Sequence, residues 1–192
     1  MITMEKSEPP VERWEDGTLP AGVILGEGTI IKGKTALRRF FSEQETGLII
    51  GRECVMDGVQ FAAGKDGRIS IGDRCYLTNV VLMCELEIQI GNRVMIGWNS
   101  AIADSDFHPI DPALRIEDAI ACSPGGKGRA RPAIERKEVI IEDDVWIGPS
   151  VTILKGVRIG AGAFIEPGSM ITRDVPAGMR VGGNPATVIG KV

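Results

Sequence analysis

The chain has 192 residues, a length typical of one domain, and 43% of them are hydrophobic although only 5% are aromatic. This composition predicts a core of aliphatic side chains, and the 25 glycines predict many turns. The formal net charge of −4 and the pI near 5.2 exclude a strongly basic surface and argue against a nucleic-acid partner.

Residues 1–47 are predicted to form an N-terminal segment with the first strands and a short helical excursion. The first twenty residues are polar, acidic and proline-containing, and they lack the apolar run of a signal peptide. No later apolar run reaches transmembrane length, so we expect a cytoplasmic protein without a membrane span. Residues 32–46 have helical character, and we expect them to cap the following domain or to contact a neighbouring subunit.

Residues 28–35, GTIIKGKT, match the Walker A expression of phosphate-binding loops. A P-loop sheet requires alternating strands and helices downstream, and nothing in the following sequence supplies them. We therefore do not interpret this segment as a nucleotide site.

From residue 48 onward the sequence follows a six-residue repeat. Several hexads begin with isoleucine and glycine, namely Ile71-Gly72, Ile90-Gly91, Ile96-Gly97, Ile147-Gly148 and Ile159-Gly160. Isoleucine also recurs at every sixth position at Ile141, Ile147, Ile153, Ile159, Ile165 and Ile171. Six residues turn an α-helix by about 600°, which would scatter these side chains over three faces.

An extended chain keeps positions six apart on one side, but thirty residues in one straight strand would run roughly 100 Å. The chain must therefore turn within each hexad, and pairs such as Pro149-Ser150 and Pro167-Gly168 supply the turns. We predict an all-β domain over residues 48–192, built as a β-solenoid of hexapeptide repeats. The four cysteines lack CxxC spacing, and we interpret them as buried thiols: Cys54, Cys75, Cys84 and Cys122.

Two irregularities interrupt the hexads of this domain. Around Val81 to Glu87 the phase slips by one residue, which predicts a bulge at one corner. The longer irregularity is a loop excursion over residues 105–138. The hexad after Ile102 should place an aliphatic residue at position 108, and the sequence has His108 there, the only histidine of the chain.

A single histidine is more often a structural residue than a catalytic one. Asp104-Ser105-Asp106 forms a DxD motif, which together with His108 offers a metal site and nucleotide-sugar chemistry as one alternative. In a metal-free site, Asp104 or Asp106 would orient the imidazole ring, or both would simply form turns in a solvated loop.

Other motifs indicate a family. His108-Pro109 followed by Leu114-Arg115 resembles the HPxxxxLR stretch of the galactoside and maltose O-acetyltransferases. Residues 145–148, 172–176 and 183–186 resemble the VWIG, TKDVP and GNPA segments of the same enzymes. Residues 48–192 are thus similar to the hexapeptide-repeat acyltransferases, and the resemblance implies their fold, a left-handed parallel β-helix. It also implies a homotrimer.

The resemblance implies that His108 is a general base and that acetyl-CoA is the donor, without a metal ion. A neutral imidazole takes the proton of the attacking hydroxyl, and its ordinary pKa of about 6.5 suits neutral pH. No covalent enzyme intermediate is required. The donor would lie between two subunits against the positions that match the family's donor site: Pro149, Pro167, Thr172, Arg173 and Thr187. Thr187 replaces a cationic position, and the basic residues that could supply the missing charge are Lys127, Arg129, Arg131 and Lys191.

For the acceptor, the resemblance indicates Asn79 and either Glu85 or Glu87. Arg115 belongs to the HPxxxxLR stretch, and the indole of Trp146 would offer an aromatic face to a sugar ring. The implied reaction is O-acetylation of a sugar or glycan hydroxyl. Two alternatives remain open: N-acetylation of an amino-sugar or nucleotide-sugar, and a non-catalytic trimeric scaffold. The three-histidine zinc site of the γ-class carbonic anhydrases, which share the β-helix, is excluded because the chain has one histidine.

Overall fold

Each hexad forms one short strand and one corner in the computed structural model, which describes residues 18–192. Successive strands enter three different sheets in turn, so Ile141, Ile147 and Ile153 lie in sheets 1, 2 and 3. One coil later the pattern repeats, and Ile147 lies in register with Ile165. The predicted parallel β-helix of hexapeptide repeats is therefore confirmed.

Each sheet forms one side of the triangular coil. Sheet 1 contains β1 (Val23–Leu25), β3 (Leu48–Ile50), β6 (Arg68–Ile71), β9 (Glu87–Ile90), β12 (Val139–Ile141) and β15 (Arg158–Ile159). Sheet 2 contains β2 (Ile30–Lys32), β4 (Val55–Asp57), β7 (Tyr76–Thr78), β10 (Met95–Ile96), β13 (Trp146–Ile147), β16 (Phe164–Ile165), β18 (Met179–Gly183) and β19 (Ala186–Lys191). Sheet 3 contains β5 (Gln60–Ala63), β8 (Val81–Cys84), β11 (Ala101–Ala103), β14 (Thr152–Ile153) and β17 (Met170–Ile171). Neighbouring strands pair in parallel, apart from the C-terminal β18–β19 hairpin.

The interior of the coil is a stack of aliphatic side chains. The six isoleucines that recur between Ile141 and Ile171 are each at most 1% exposed. The valines two residues before the first four of them are buried as well, at Val139, Val145, Val151 and Val157. Burying one such side chain contributes about 2 kcal/mol, so the repeated hexad stabilises every coil in the same way.

The corner between sheets 1 and 2 requires a left-handed backbone once per coil. Glu53, Arg74, Arg93 and Asp144 adopt φ between 55° and 61° there, a conformation that is uncommon outside glycine. Ion pairs between coils accompany it, for example between Arg93 Nε and Asp144 Oδ1 at 2.6 Å. This corner is therefore a column of paired surface charges.

The helix expected within residues 32–46 is wrong. Residues 33–40 form consecutive turns, and their backbone groups bond to the outermost strand of sheet 3. Phe61 N–H donates to Ala36 O, and Ala63 N–H donates to Arg39 O. The segment itself is closed by bonds between residues three apart, such as Ala36 N–H to Gly33 O at 3.0 Å, which are turns and not α-helical bonds, and its carbonyls satisfy the free edge of β5. The first strands, β1 and β2, pair with β3 and β4 and so extend the same solenoid.

The phase slip is placed differently from the prediction. Sheet 3 buries Leu82 and Cys84, whereas Met83 faces outward. The slip falls at the corner from sheet 2 to sheet 3, which takes residues 79–80 in this coil and residues 97–100 in the next. The corner from sheet 3 to sheet 1 also varies in length between coils. It takes residues 64–67 in one coil, 85–86 in the next, and 104–138 in the one after that.

The excursion over residues 105–138 is not a simple loop. It contains the α-helix α1 (Pro112–Cys122) and a short 3-10 helix (Pro124–Gly126). The Asp111 side chain caps α1 by accepting from the backbone N–H of Ala113 at 2.8 Å and of Leu114 at 3.1 Å. None of the helices in residues 18–192 has the length and apolarity needed to cross a bilayer.

Candidate active site

The excursion leaves the corner between sheets 3 and 1 through a narrow neck. Ser105 and Arg136 form an antiparallel bridge across it, and Lys137 N–H donates to Asp104 O at 2.8 Å. The neck fixes the point at which His108 leaves the solenoid.

Asp104 and Asp106 do not orient the imidazole, which corrects the prediction. The Asp104 carboxylate accepts from the backbone N–H groups of the neighbouring corner, and the Asp106 carboxylate binds Lys155 Nζ at 2.7 Å. These two groups therefore hold the neck and the adjacent corners together. Across residues 18–192, no cluster of three His, Cys, Asp or Glu side chains is placed to hold a metal ion.

The partner of His108 is Asp118. The side chain of His108 is 56% exposed, and its Nδ1 lies 2.6 Å from Asp118 Oδ2. Asp118 is fully buried, the one buried residue of α1. The cap at Asp111 and the start of α1 at Pro112 thus bring Asp118 onto the ring of a histidine ten positions earlier.

Arg131 completes this cluster from the far side of α1. Its Nε lies 2.6 Å from Asp118 Oδ1, and one terminal nitrogen lies 3.1 Å from Asp118 Oδ2. The guanidinium of Arg131, and secondarily His108, lowers the pKa of Asp118 to about 2. The carboxylate is therefore ionised at neutral pH and can only accept a hydrogen bond. A neutral imidazole can bond to this carboxylate only through a protonated Nδ1, which leaves the free lone pair on Nε2.

The other acceptor candidates lie elsewhere in the chain. Asn79 has φ of 48° at the corner between sheets 2 and 3, whereas His108 follows the far end of sheet 3. Trp146 stacks on Phe164 with ring centroids 4.2 Å apart, so one face of the indole is covered. Arg115 lies on α1 and donates to Ile110 O at 3.3 Å. Asn79 and Trp146 therefore lie on other parts of the coil than His108, whereas Arg115 lies on the helix that carries Asp118.

The donor candidates are divided between two corners and the C-terminal hairpin. Thr172 and Arg173 follow β17 at the corner that also carries the excursion. Pro149 and Pro167 lie at the corner between sheets 2 and 3 in successive coils, and Thr187 lies on β19. Thr172 and Arg173 alone among them share the corner of His108.

Sequence reasoning missed Asp118 and assigned Arg131 only as a possible phosphate partner. Arg131 is committed to Asp118 and donates to Phe107 O at 2.8 Å. The Asp111-Pro112 pair, a helix start signal, was the feature that could have revealed α1 and with it the burial of Asp118.

Comparisons with known proteins agree with this fold. The family model "Bacterial transferase hexapeptide (six repeats)" matches residues 138–173. A crystal structure of the hexapeptide-repeat containing acetyltransferase from Vibrio cholerae is 34% identical, with a TM-score of 0.58 over 72% of this chain and 69% of that chain. The chain belongs to the hexapeptide-repeat acetyltransferases.

One further relative and a second structure of the Vibrio cholerae protein add detail. The galactoside O-acetyltransferase of Lactococcus lactis is 33% identical over 157 residues, which cover 81% of this chain. This chain spans 66% of that relative's length. A second Vibrio cholerae structure, a complex with acetyl coenzyme A, is 31% identical, with a TM-score of 0.53 over 70% of this chain and 71% of that chain.

Proposed function

We propose that this protein transfers an acetyl group from acetyl-CoA to a hydroxyl of a sugar or glycan, with His108 as the general base. One observation carries the proposal. The exposed imidazole is held through Nδ1 by a buried carboxylate, an arrangement that in the neutral ring leaves the lone pair on Nε2, the nitrogen not bonded to that carboxylate.

The proposed reaction is a direct transfer. Nε2 of His108 takes the proton of the acceptor hydroxyl as its oxygen attacks the thioester carbonyl. The tetrahedral intermediate collapses, the carbon–sulfur bond breaks, and the imidazolium returns its proton to the departing thiolate of CoA. The positive charge that forms on the imidazolium lies beside the ionised carboxylate of Asp118, so the protonated ring is stabilised while it exists.

The donor assignment rests on family membership and on geometry. The Vibrio cholerae relative forms a complex with acetyl coenzyme A. In this chain, Thr172 and Arg173 lie at the same corner as the excursion, where both side chains are exposed. A guanidinium there suits a phosphate of the donor. Pro149 and Pro167 lie at a different corner of the coil, and Thr187 lies on β19.

The candidate residues for donor and acceptor are thus divided between separate corners of one chain. This separation supports the proposal of a homotrimer with sites between subunits. A neighbouring chain would supply the corner between sheets 2 and 3, including Asn79, to the His108 of the first. Exposed apolar side chains lie on both surfaces: Ile110 (75%) and Ile116 (64%) beside or on α1, Met95 (52%) and Trp98 (57%) on or next to sheet 2. Large exposed apolar side chains of this kind are typical of association surfaces. The cytoplasmic location stays a prediction, supported by the free cysteines of the chain.

The test is CoA release from acetyl-CoA with a panel of sugars, amino-sugars and nucleotide-sugars. We expect stimulation by a hydroxyl acceptor and a fall of at least ~10²-fold in His108→Ala. Glu117→Ala, which removes an exposed charge from α1, is the matched control and should keep full activity. Product analysis distinguishes an ester from an amide, and an amide product would select the N-acetyltransferase alternative. If this protein does not bind acetyl-CoA, that result would support the scaffold alternative.

A further inference from the structure

We infer that Asp118 and Arg131 are positioning residues of the active site, which hold His108 in the one tautomer that can act as a base. The inference rests on the proposed function for its catalytic consequence. Its structural content, the tautomer of His108, can be measured separately.

The three side chains come from three separate parts of the excursion. His108 precedes α1, Asp118 lies inside α1, and Arg131 follows the 3-10 helix. The fully buried carboxylate of Asp118 contacts both of the others, with shortest distances of 2.6 Å to each. A buried carboxylate is costly unless charged and hydrogen-bonded partners compensate it, and Arg131 provides two of these bonds. Arg131 thus keeps Asp118 charged and in place, and Asp118 in turn holds His108.

The backbone before His108 is held by the same guanidinium. Phe107 has φ of 64°, a left-handed conformation that is unfavourable for a bulky residue. His108 N–H donates to Asp106 O at 2.7 Å across this residue, which closes a tight turn. Arg131 donates to Phe107 O at 2.8 Å and so fixes the turn that aims the imidazole. One side chain therefore controls both the direction of His108 and the charge of its partner.

The remainder of α1 has little packing that could replace this contact. Every residue of the helix except Asp118 and the half-buried Ala121 is exposed. A helix that serves only as a surface element needs no buried charge at its centre. The burial of an aspartate, and of no apolar side chain, indicates that the helix is built around the contact with His108.

The tautomer can be measured directly because His108 is the only histidine. Nitrogen-15 labelling of histidine gives one imidazole spectrum, recorded at a series of rising pH values until it no longer changes, so that the neutral ring is observed. We expect protonated Nδ1 and unprotonated Nε2 in the wild type. In Asp118→Asn the amide can donate to Nδ1, so the spectrum should move towards protonated Nε2. Glu117→Gln, the adjacent acid on the exposed side of α1, should leave the spectrum unchanged.

Kinetics then connect the tautomer with catalysis. We expect kcat to fall at least ~10²-fold in Asp118→Asn, with the KM for acetyl-CoA changed less than about threefold. Arg131→Gln should also lower kcat, but by a smaller factor than Asp118→Asn, because it leaves the carboxylate in place. Asp118→Glu, which keeps a carboxylate, should recover part of kcat and the wild-type tautomer. Circular dichroism of each variant confirms that it is folded before the comparison is made.

Each outcome has one meaning. An unchanged imidazole spectrum in folded Asp118→Asn, or kcat within about threefold of the wild type, would show that the pair only anchors α1. If no acceptor responds in the wild type while the tautomer still depends on Asp118, the positioning inference stands and the proposed reaction fails.

Discussion

The carboxylate of Asp104 lies 2.7 Å from the backbone nitrogen of Leu86, one coil away. It also accepts from the N–H groups of Glu85 and Glu87, each at 2.8 Å. A single fully buried side chain therefore satisfies three consecutive donors of the corner between β8 and β9. The residue that begins the excursion thus also builds the corner beside it.

Removing this carboxylate should destabilise the fold strongly. Asp104→Ala leaves three donors without their acceptor, and we expect a loss of about 3 kcal/mol or more in the free energy of unfolding. Asp111→Ala, which removes an exposed helix cap with two bonds, is the control and should cost about 1 kcal/mol. Urea titration followed by circular dichroism measures both values. Equal losses would contradict a special role for Asp104.

The hexads of the sequence were sufficient to predict the coil. A six-residue period with a turn in each hexad predicted a β-solenoid, and the family resemblance implied its three-sided form; all six isoleucines are buried in it. The register near the slip could not be predicted in this way. The segment VVLMC is apolar at every position, so either alternation satisfies the core, and the structure buries Leu82 and Cys84.

The active site was predictable only in part. His108 was found because it stands where the hexad phase requires an aliphatic residue. Asp118 has no periodic signal, since its position depends on the direction in which α1 leaves Asp111 and on a salt bridge to Arg131. Contacts of this kind depend on tertiary geometry inside an irregular segment, which sequence periodicity does not describe.

Truncation of Trp146, in sheet 2, and of Trp98, next to sheet 2, should change the free energy of unfolding by different amounts. Trp146 is half-buried and stacked on Phe164, whereas Trp98 is 57% exposed. We expect Trp146→Ala to lower the free energy of unfolding of the isolated chain by about 2 kcal/mol, since it loses both burial and stacking. Trp98→Ala should cost less than about 0.5 kcal/mol. Urea unfolding under conditions that keep the chain monomeric makes the comparison. A larger loss for Trp98 would mean that the stack contributes little.

The burial of the cysteines predicts how many thiols react in the native protein. It also corrects the expectation that all four are buried. Cys54, Cys75 and Cys84 are buried as predicted, but Cys122 at the end of α1 is exposed. Burial raises the pKa of the Cys84 thiol far above its usual value, which slows its reaction further. We expect one thiol per chain to react rapidly with Ellman's reagent in the native protein, and all four after unfolding. Cys122→Ser should abolish the rapid phase, and rapid labelling that persists in this variant would show that the core thiols are accessible.

Acid should weaken the contribution of the salt bridge between Asp118 and Arg131. The pKa of the Asp118 carboxyl is lowered from 3.8 in a free carboxyl to about 2 in the folded chain, chiefly by Arg131. A lowered folded-state pKa contributes stability that is present above the unfolded value and is lost as the pH falls towards 2. At neutral pH, we expect Arg131→Gln to reduce the free energy of unfolding by about 2 kcal/mol, because it leaves a buried carboxylate without its cation. That difference from the wild type should stay constant down to about pH 5 and should shrink below about pH 4. Urea titrations at a series of pH values measure it, with Arg129→Gln as the control in the same exposed stretch. A difference that grows on acidification would show that Arg131 stabilises the fold through another contact.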